Sequence, residues 1–344
     1  MDKPSATEAA PEPILDPDRR ILDPHHHLWP AGAGPAYLLD ELRADTGDGH
    51  RVEATVFVEC MTGYLTDGPE ALRRSGESAF VARVARDSRD GKGARIAAIV
   101  GSADLLAPDD LDALLDAHIE AGKGLFRGIR HAAAWDASDA IRPSHHHPPP
   151  HLYLDATFRR GFAKLADQGL TFDAWLFHPQ IPELTDLARA FPGASIILDH
   201  LGGPVGIGPY AGKRDAYFPK WRADMAQLAT CPNVTVKLGG MAMPINGWDW
   251  HKTGAPDSAA FAAAQGDWYR AAIDLFGPDR CMFESNFPVD RASLSYRTLW
   301  NGLKRIAAPY SAAEKDLMFR GTAARVYGVE DEAGTAVDPL SQLR

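Results

Sequence analysis

A (β/α)8 barrel, the TIM barrel of the α/β class, is the fold that this 344-residue sequence predicts. Three observations lead there. Eight short apolar runs recur along the chain, amphipathic segments of helical period separate them, and several runs end in histidine, at the position where such barrels assemble their chemistry. A single barrel takes about 250 residues and with insertions passes 400, so one domain accounts for the length.

The strands are expected at residues 20–22, 54–59, 96–100, 126–129, 171–177, 195–198, 234–238 and 281–283. Between them, residues 110–121 place Leu111, Leu114, Leu115 and Ile119 on one helical face, and Gly122 stops the helix. Residues 182–191 open on Pro182 and turn Leu184, Leu187 and Phe191 to one side in the same way. Near the end, Ser311 and Glu314 form a capping box that starts a last helix running to about Tyr327. Residues 1–18, rich in Pro, Ala and Glu without periodicity, read as a short disordered leader; 19–330 form the barrel and 331–344 a tail. The proline-rich SHHHPPPH stretch at 144–151 reads as a solvated loop after strand four.

Hydrophobic residues make up 45% of the chain and charged residues 24%, enough apolar material for a core and too much for general disorder. The net charge of -10, with no block of Lys or Arg, gives a nucleic-acid backbone nothing to grip. No run of 18 apolar residues occurs, and the MDKPSATEAAPEP start lacks a basic and an apolar signal region, so the expectation is a cytoplasmic protein with no membrane partner. Cys60, Cys231 and Cys281 are widely spaced and odd in number, which suits buried thiols better than a disulfide framework. The expected partner is a small-molecule substrate; a homo-oligomer is compatible with the sequence.

The chemistry concentrates after the first strand, in Asp23-Pro-His25-His26-His27-Leu-Trp29. On extended backbone, side chains two apart point the same way, so His25 and His27 share a face and His26 points away. Two converging imidazoles suit zinc, whose catalytic sites use about three protein ligands and keep one position open. His178 ends the fifth run and His200 the sixth, next to Asp199, which can orient an imidazole. Glu59, at the end of strand two, is either a ligand or a rim charge. Arg127, Arg130 and His131 surround the end of strand four, and an arginine fork there suits a substrate carboxylate, with one of the two arginines expected in a salt bridge. Trp29, Trp135 and Trp248 fall in mouth loops, as wall or as packing.

The stretches DPHHHLW, FRGIRHAAAW, FDAWLFHPQ, ILDHLGGP, NVTVKLGG and RCMFESNFPVD, with a final AARVY helix, resemble the amidohydrolase superfamily, in particular its barrel-hydrolase branch that includes sugar-acid and pyrone-dicarboxylate lactonases. The resemblance spans residues 20–327. It implies a divalent ion, zinc first and manganese second, held by His25, His27 and His178, with His200 beside it; metal-free operation is a variant within the branch. Relatives carry an Asp after strand eight, where this chain has Asn286, which cannot accept a proton from water. Glu284 and Asp290 are the two carboxylates available to replace it. Glu284 is preferred because an acid pointing into a barrel needs a cation nearby, and its alternative partner is Lys237 on strand seven. The expected activity is metal-dependent hydrolysis of a lactone or related cyclic ester carrying an acidic group. The alternatives are a nonoxidative decarboxylase of an aromatic or muconate-type acid and a noncatalytic small-molecule-binding barrel.

Overall fold

The computed structural model describes residues 12–32, 36–91 and 93–330. Eight parallel strands lie side by side in chain order: β1 Ile21–His26, β2 Val52–Val58, β3 Arg95–Ser102, β4 Phe126–Arg130, β5 Thr171–Ala174, β6 Ser195–Leu198, β7 Val234–Leu238 and β8 Cys281–Phe283. β2, β3, β6 and β8 read as largely apolar runs because both of their faces are covered, one by the barrel interior and one by helices. The seam closes just beyond β8. There the amide of Asn286 donates to the His25 carbonyl at 3.0 Å, the amide of His27 to the Phe287 carbonyl at 2.8 Å, and the amide of Ser285 to Asp23 at 2.9 Å.

Helices cover the outside: α1 Leu39–Thr46, α2 Ser75–Ser88, α3 Pro108–Ala121, α4 Ala156–Asp167, α5 Ile181–Ala190, α6 Arg214–Ala229, the single turn α7 Trp250–Thr253, α8 Ser258–Phe276, α9 Tyr296–Ile306, α10 Ala312–Asp316 and α11 Thr322–Val326. Leu111, Leu114 and Leu115 of α3 are buried as their spacing requires, whereas Ile119 is 48% exposed, on the edge of the stripe. The Ser311–Glu314 capping box forms, and the terminal helix runs through a π-turn at Leu317–Gly321 that separates α10 from α11.

The leader expectation needs correction for residues 12–18; residues 1–11 lie outside the described part. Asn301 of α9 donates to the Pro13 carbonyl at 2.9 Å and accepts the Leu15 amide at 2.9 Å, Lys304 donates to the Leu15 and Asp16 carbonyls, and Glu12 accepts the amide of Ser258 at the start of α8. The tail at 331–344 is also outside the described residues. Among the described residues no helix is long and apolar enough to cross a membrane.

Candidate active site at the carboxyl ends of the strands

His25 and His27 converge as alternation requires. Their Nε2 atoms face each other at 3.3 Å, while His26 turns outward against Phe57. Each ring is fixed from behind. His27 Nδ1 lies 2.8 Å from the Val58 carbonyl oxygen, which can only accept, so Nδ1 carries the proton and Nε2 a lone pair. Glu284 plays that part for His200, with Oε1 2.6 Å from its Nδ1, while Oε2 stands 2.9 Å from His25 Nδ1. Burial, with Lys237 for His25 and Arg130 for His27, holds both imidazoles well below the usual histidine range, so they are neutral at pH 7.

The pair of glycines after β7 makes this clamp sterically feasible. A Cβ on Gly239 would fall 2.4 Å from Glu284 Cγ, and one on Gly240, whose φ is +63°, would fall 2.2 Å from His200 Nδ1. Only glycine leaves that room. The Gly-Gly signal was visible in the sequence, but its purpose depends on an acid and a histidine from two other strands.

Lys237 and Arg130 supply fixed positive charge. Lys237 Nζ lies 2.5 Å from Asp173, 3.1 Å from Asp199 and 3.2 Å from His25 Nδ1, so its carboxylate partners are these two rather than Glu284. Asp199 also sits 3.7 Å from His25 Nδ1. Burial would raise the Asp199 carboxyl, but Lys237 pulls it below the usual range.

The other expected site residues divide. Glu59 is fully buried and is taken up by other partners: it accepts from Arg130 Nε at 2.7 Å and lies 2.9 Å from His145 Nε2 and 3.5 Å from His146 Nε2. The 144–151 stretch is therefore corrected: His145 and His146 turn inward onto Glu59, because a buried carboxylate with one cation still has acceptor sites to fill. Arg130 spends Nε and Nη2 on Glu59, and its Nη1 lies 3.4 Å from His25 Nε2. Arg127 is corrected outright. It stands at the amino end of β4, donating to the carbonyls of Tyr327, Gly124 and Phe126, far from where a substrate carboxylate was expected. His131 is also structural: its Nδ1 accepts the Leu105 amide at 3.2 Å, its ring packs on Phe158, and burial pushes it down to about 3. With both arginines occupied, the acidic group expected on the substrate loses its anchor.

His178 departs from expectation because β5 ends at Ala174, three residues earlier than its run of apolar residues. The ring opens a short turn, His178–Gln180, with Nδ1 accepting the Val205 amide at 3.2 Å and Tyr217 stacked on it at 4.5 Å. Among the described residues, the metal-capable groups of three are His25 with His200 and Glu284, and Glu59 with His145 and His146; neither His27 nor His178 is in either, His27 meeting His25 only as a pair. After β8, Asn286 adopts a φ of +55° and donates to Asp290 Oδ1 at 3.0 Å, while the Ala242 amide donates to Oδ2 at 3.2 Å. Burial pushes Asp290 up to about 7. Trp29 stacks on His27, Trp135 donates its amide to Gln180, and Trp248 stacks on Trp250 under the Arg214 guanidinium.

Two observations test whether a divalent ion fits. Two nitrogens bound to one tetrahedral zinc at about 2.0–2.1 Å lie about 3.3–3.4 Å apart, and the His25 and His27 Nε2 atoms stand at that separation. The acids Glu59, Asp173, Asp199 and Glu284 also outnumber the cations Arg130 and Lys237, and Glu284 Oε2 and both Asp199 oxygens find no well-aligned hydrogen-bond donor among the described residues. Uncompensated buried carboxylates beside two facing imidazole nitrogens favour a cation, so the residues fit the ion.

The chain is similar to proteins of one family. The amidohydrolase family model matches residues 22–329. The uncharacterized protein y4mH of Sinorhizobium fredii is 32% identical over 91% of this chain and 99% of its own length. The L-fucono-1,5-lactonase of Burkholderia multivorans is 29% identical over 91% of this chain and 97% of its own. A crystal structure of a Burkholderia multivorans amidohydrolase with bound zinc superposes with a TM-score of 0.69 at 28% identity, covering 90% of this chain and 99% of that one. A match this long, together with the barrel and its histidine pair, establishes that the chain is a hydrolytic enzyme belonging to the amidohydrolase family.

Proposed function

We propose that this enzyme opens a lactone or related cyclic ester by metal-assisted hydrolysis. The observation that carries the reading is the facing Nε2 pair of His25 and His27, with Glu284 bonded to His200 and 2.9 Å from His25 Nδ1 behind it. His25 and His27 would hold the ion, with His200 as the third imidazole, its ring centroid 4.5 Å from that of His25. A divalent ion bound there would polarise the substrate carbonyl and bring the pKa of a water toward neutrality.

The remaining work falls to the chain's own groups. Asp290, held by Asn286 and the Ala242 amide, accepts the proton of the attacking water as its oxygen bonds to the carbonyl carbon. As the ring C–O bond breaks, the same carboxyl returns that proton to the departing oxygen, leaving an open-chain hydroxy acid. A carboxyl poised near 7 suits both halves of this transfer. Near-complete burial of His25, His27, His200 and Asp290 keeps bulk water from competing. The curated L-fucono-1,5-lactonase relative supports a sugar-derived lactone as the substrate class.

Incubation with a panel of lactones, followed by product analysis, tests the reading. Ring-opened hydroxy acid without carbon dioxide is expected, and Asp290→Asn should lower kcat by about 10²–10⁴. Release of carbon dioxide from an aromatic or muconate-type acid, with no lactone opened, would replace this reading with a decarboxylase. A metal-free variant is favoured by one specific observation, the two fixed cations within 3.4 Å of His25. Full activity after exhaustive chelation would select it.

A further inference from the structure

Helices α2 and α3 carry opposite charges on their outer faces. On α2, Val81, Ala85 and Ser88 turn inward, which leaves Ala79, Arg83 and Arg86 on the solvent side. On α3, burial of Leu111, Leu114, Leu115 and His118 turns Asp109, Ala113, Asp116 and Glu120 outward. Arg83, Asp116 and Glu120 make no ion pair or side-chain hydrogen bond among the described residues, and Arg86 reaches only its neighbour Asp87. Between the two rows runs a groove of about 630 Å³, lined by Ala79, Ala82, Ala117, Ala121 and Leu65, the last 47% exposed. Small side chains let another helix approach closely, and the leucine is apolar surface left in water.

The two rows match in height. Each helix has 14 residues, and each follows a parallel strand, so both run from the mouth of the barrel to its floor. Counted from the first residues, Ser75 and Pro108, Arg83 and Asp116 both stand ninth, and Arg86 and Glu120 stand twelfth and thirteenth. Just past the helix ends, Asp90 and Lys123 continue the match with the signs reversed. Within one chain the rows lie side by side and stay apart. A two-fold axis along the groove would exchange the helices while keeping their heights, setting α2 of one copy over α3 of the other at both contacts. Positive positions then meet negative ones twice. An axis across the groove would instead lay α2 on α2, with like charges opposed.

We propose that this face binds a second copy of the chain, as an isologous dimer in which groove meets groove. The alanines and Leu65 supply the contact area, and the charge rows fix which helix lies over which. A 14-residue helix is about 21 Å long, so two helices a side make an interface at the small end of the specific range, and the dimer forms at micromolar concentrations.

Sedimentation velocity of the full chain, from about 2 to about 200 µM, tests this with two charge-reversed proteins. One carries Arg83→Glu with Arg86→Glu, the other Asp116→Arg with Glu120→Arg; all four positions are exposed, and circular dichroism checks that both proteins fold. The wild type should pass from one chain to two across this range. Each reversed protein alone should associate at least about tenfold more weakly, because its α2 and α3 then share one sign. An equimolar mixture of the two should regain the wild-type dimer, since the acidic α2 of one meets the basic α3 of the other at both contacts. A wild type that stays a single chain at about 200 µM would overturn the proposal. So would reversed proteins that associate like the wild type, or a mixture that associates no better than its components.

Discussion

Glu284 shows how much one carboxylate settles. Its Oε1 accepts from Nδ1 of His200 and its Oε2 stands 2.9 Å from Nδ1 of His25, so one side chain braces two imidazoles, the orienting role that outer carboxylates commonly take in metal sites. Glu284→Gln keeps the volume but must turn an NH2 toward one of the two rings. The expected outcome is a 10–100-fold loss of zinc affinity, measured by competition with a chromophoric chelator; unchanged affinity would remove Glu284 from its orienting role. At this scale the sequence was informative where a rule of local geometry applied. Alternation alone put His25 and His27 together and His26 apart, and the Glu-Ser-Asn segment pointed to Glu284 and Asp290 as substitutes for the missing acid. It was silent on tautomers, because the groups that set them, Val58 for His27 and Val205 for His178, come from other segments of the fold. The arginines misled for a related reason. Arg127 and Arg130 differ by three positions on one strand, enough to send one to the amino end of β4 and the other to the mouth.

Among elements, the strands were legible because burial on both faces favours apolar runs, and six of the eight end within two residues of expectation at the mouth, the exceptions being β1, which runs on to His26, and β5. The fifth ended early: Trp175, Leu176 and Phe177 are as apolar as a strand, but they pack in the loop that carries His178. A further buried histidine ties three elements together. His118 of α3 accepts from Ser78 of α2 at 2.7 Å and donates to the Ser102 carbonyl of β3 at 3.0 Å. Burial pushes it down to about 4. A histidine lowered in the folded state contributes stability that is present above its unfolded value near 6.5 and is lost as pH falls from there through about 4. The stability advantage of the wild type over His118→Gln should therefore shrink by about 3 kcal/mol between pH 6.5 and pH 4, read by urea unfolding at each pH. An advantage independent of pH would show that His118 is already charged in the fold.

For the whole molecule, the parallel order of eight strands gathers side chains from β1, β6, β7 and the segment after β8 into one buried cluster, and the residues before β1 are drawn onto α8 and α9 at the outside. The barrel itself was readable from the alternation of runs and helices. The anchoring of residues 12–18 was not, since its partners Asn301 and Lys304 lie almost three hundred residues away and composition alone describes an unattached segment. The polyhistidine loop was misread on the same ground: its composition is that of a solvated stretch, and only the fold brings Glu59 beneath it. The account stands or falls on where a cation sits. Crystals grown with zinc and measured at the zinc absorption edge should show an anomalous peak at about 2.0–2.1 Å from Nε2 of both His25 and His27, with none beside His178. A peak at Glu59, His145 and His146 instead, or none at the histidine pair, would contradict it.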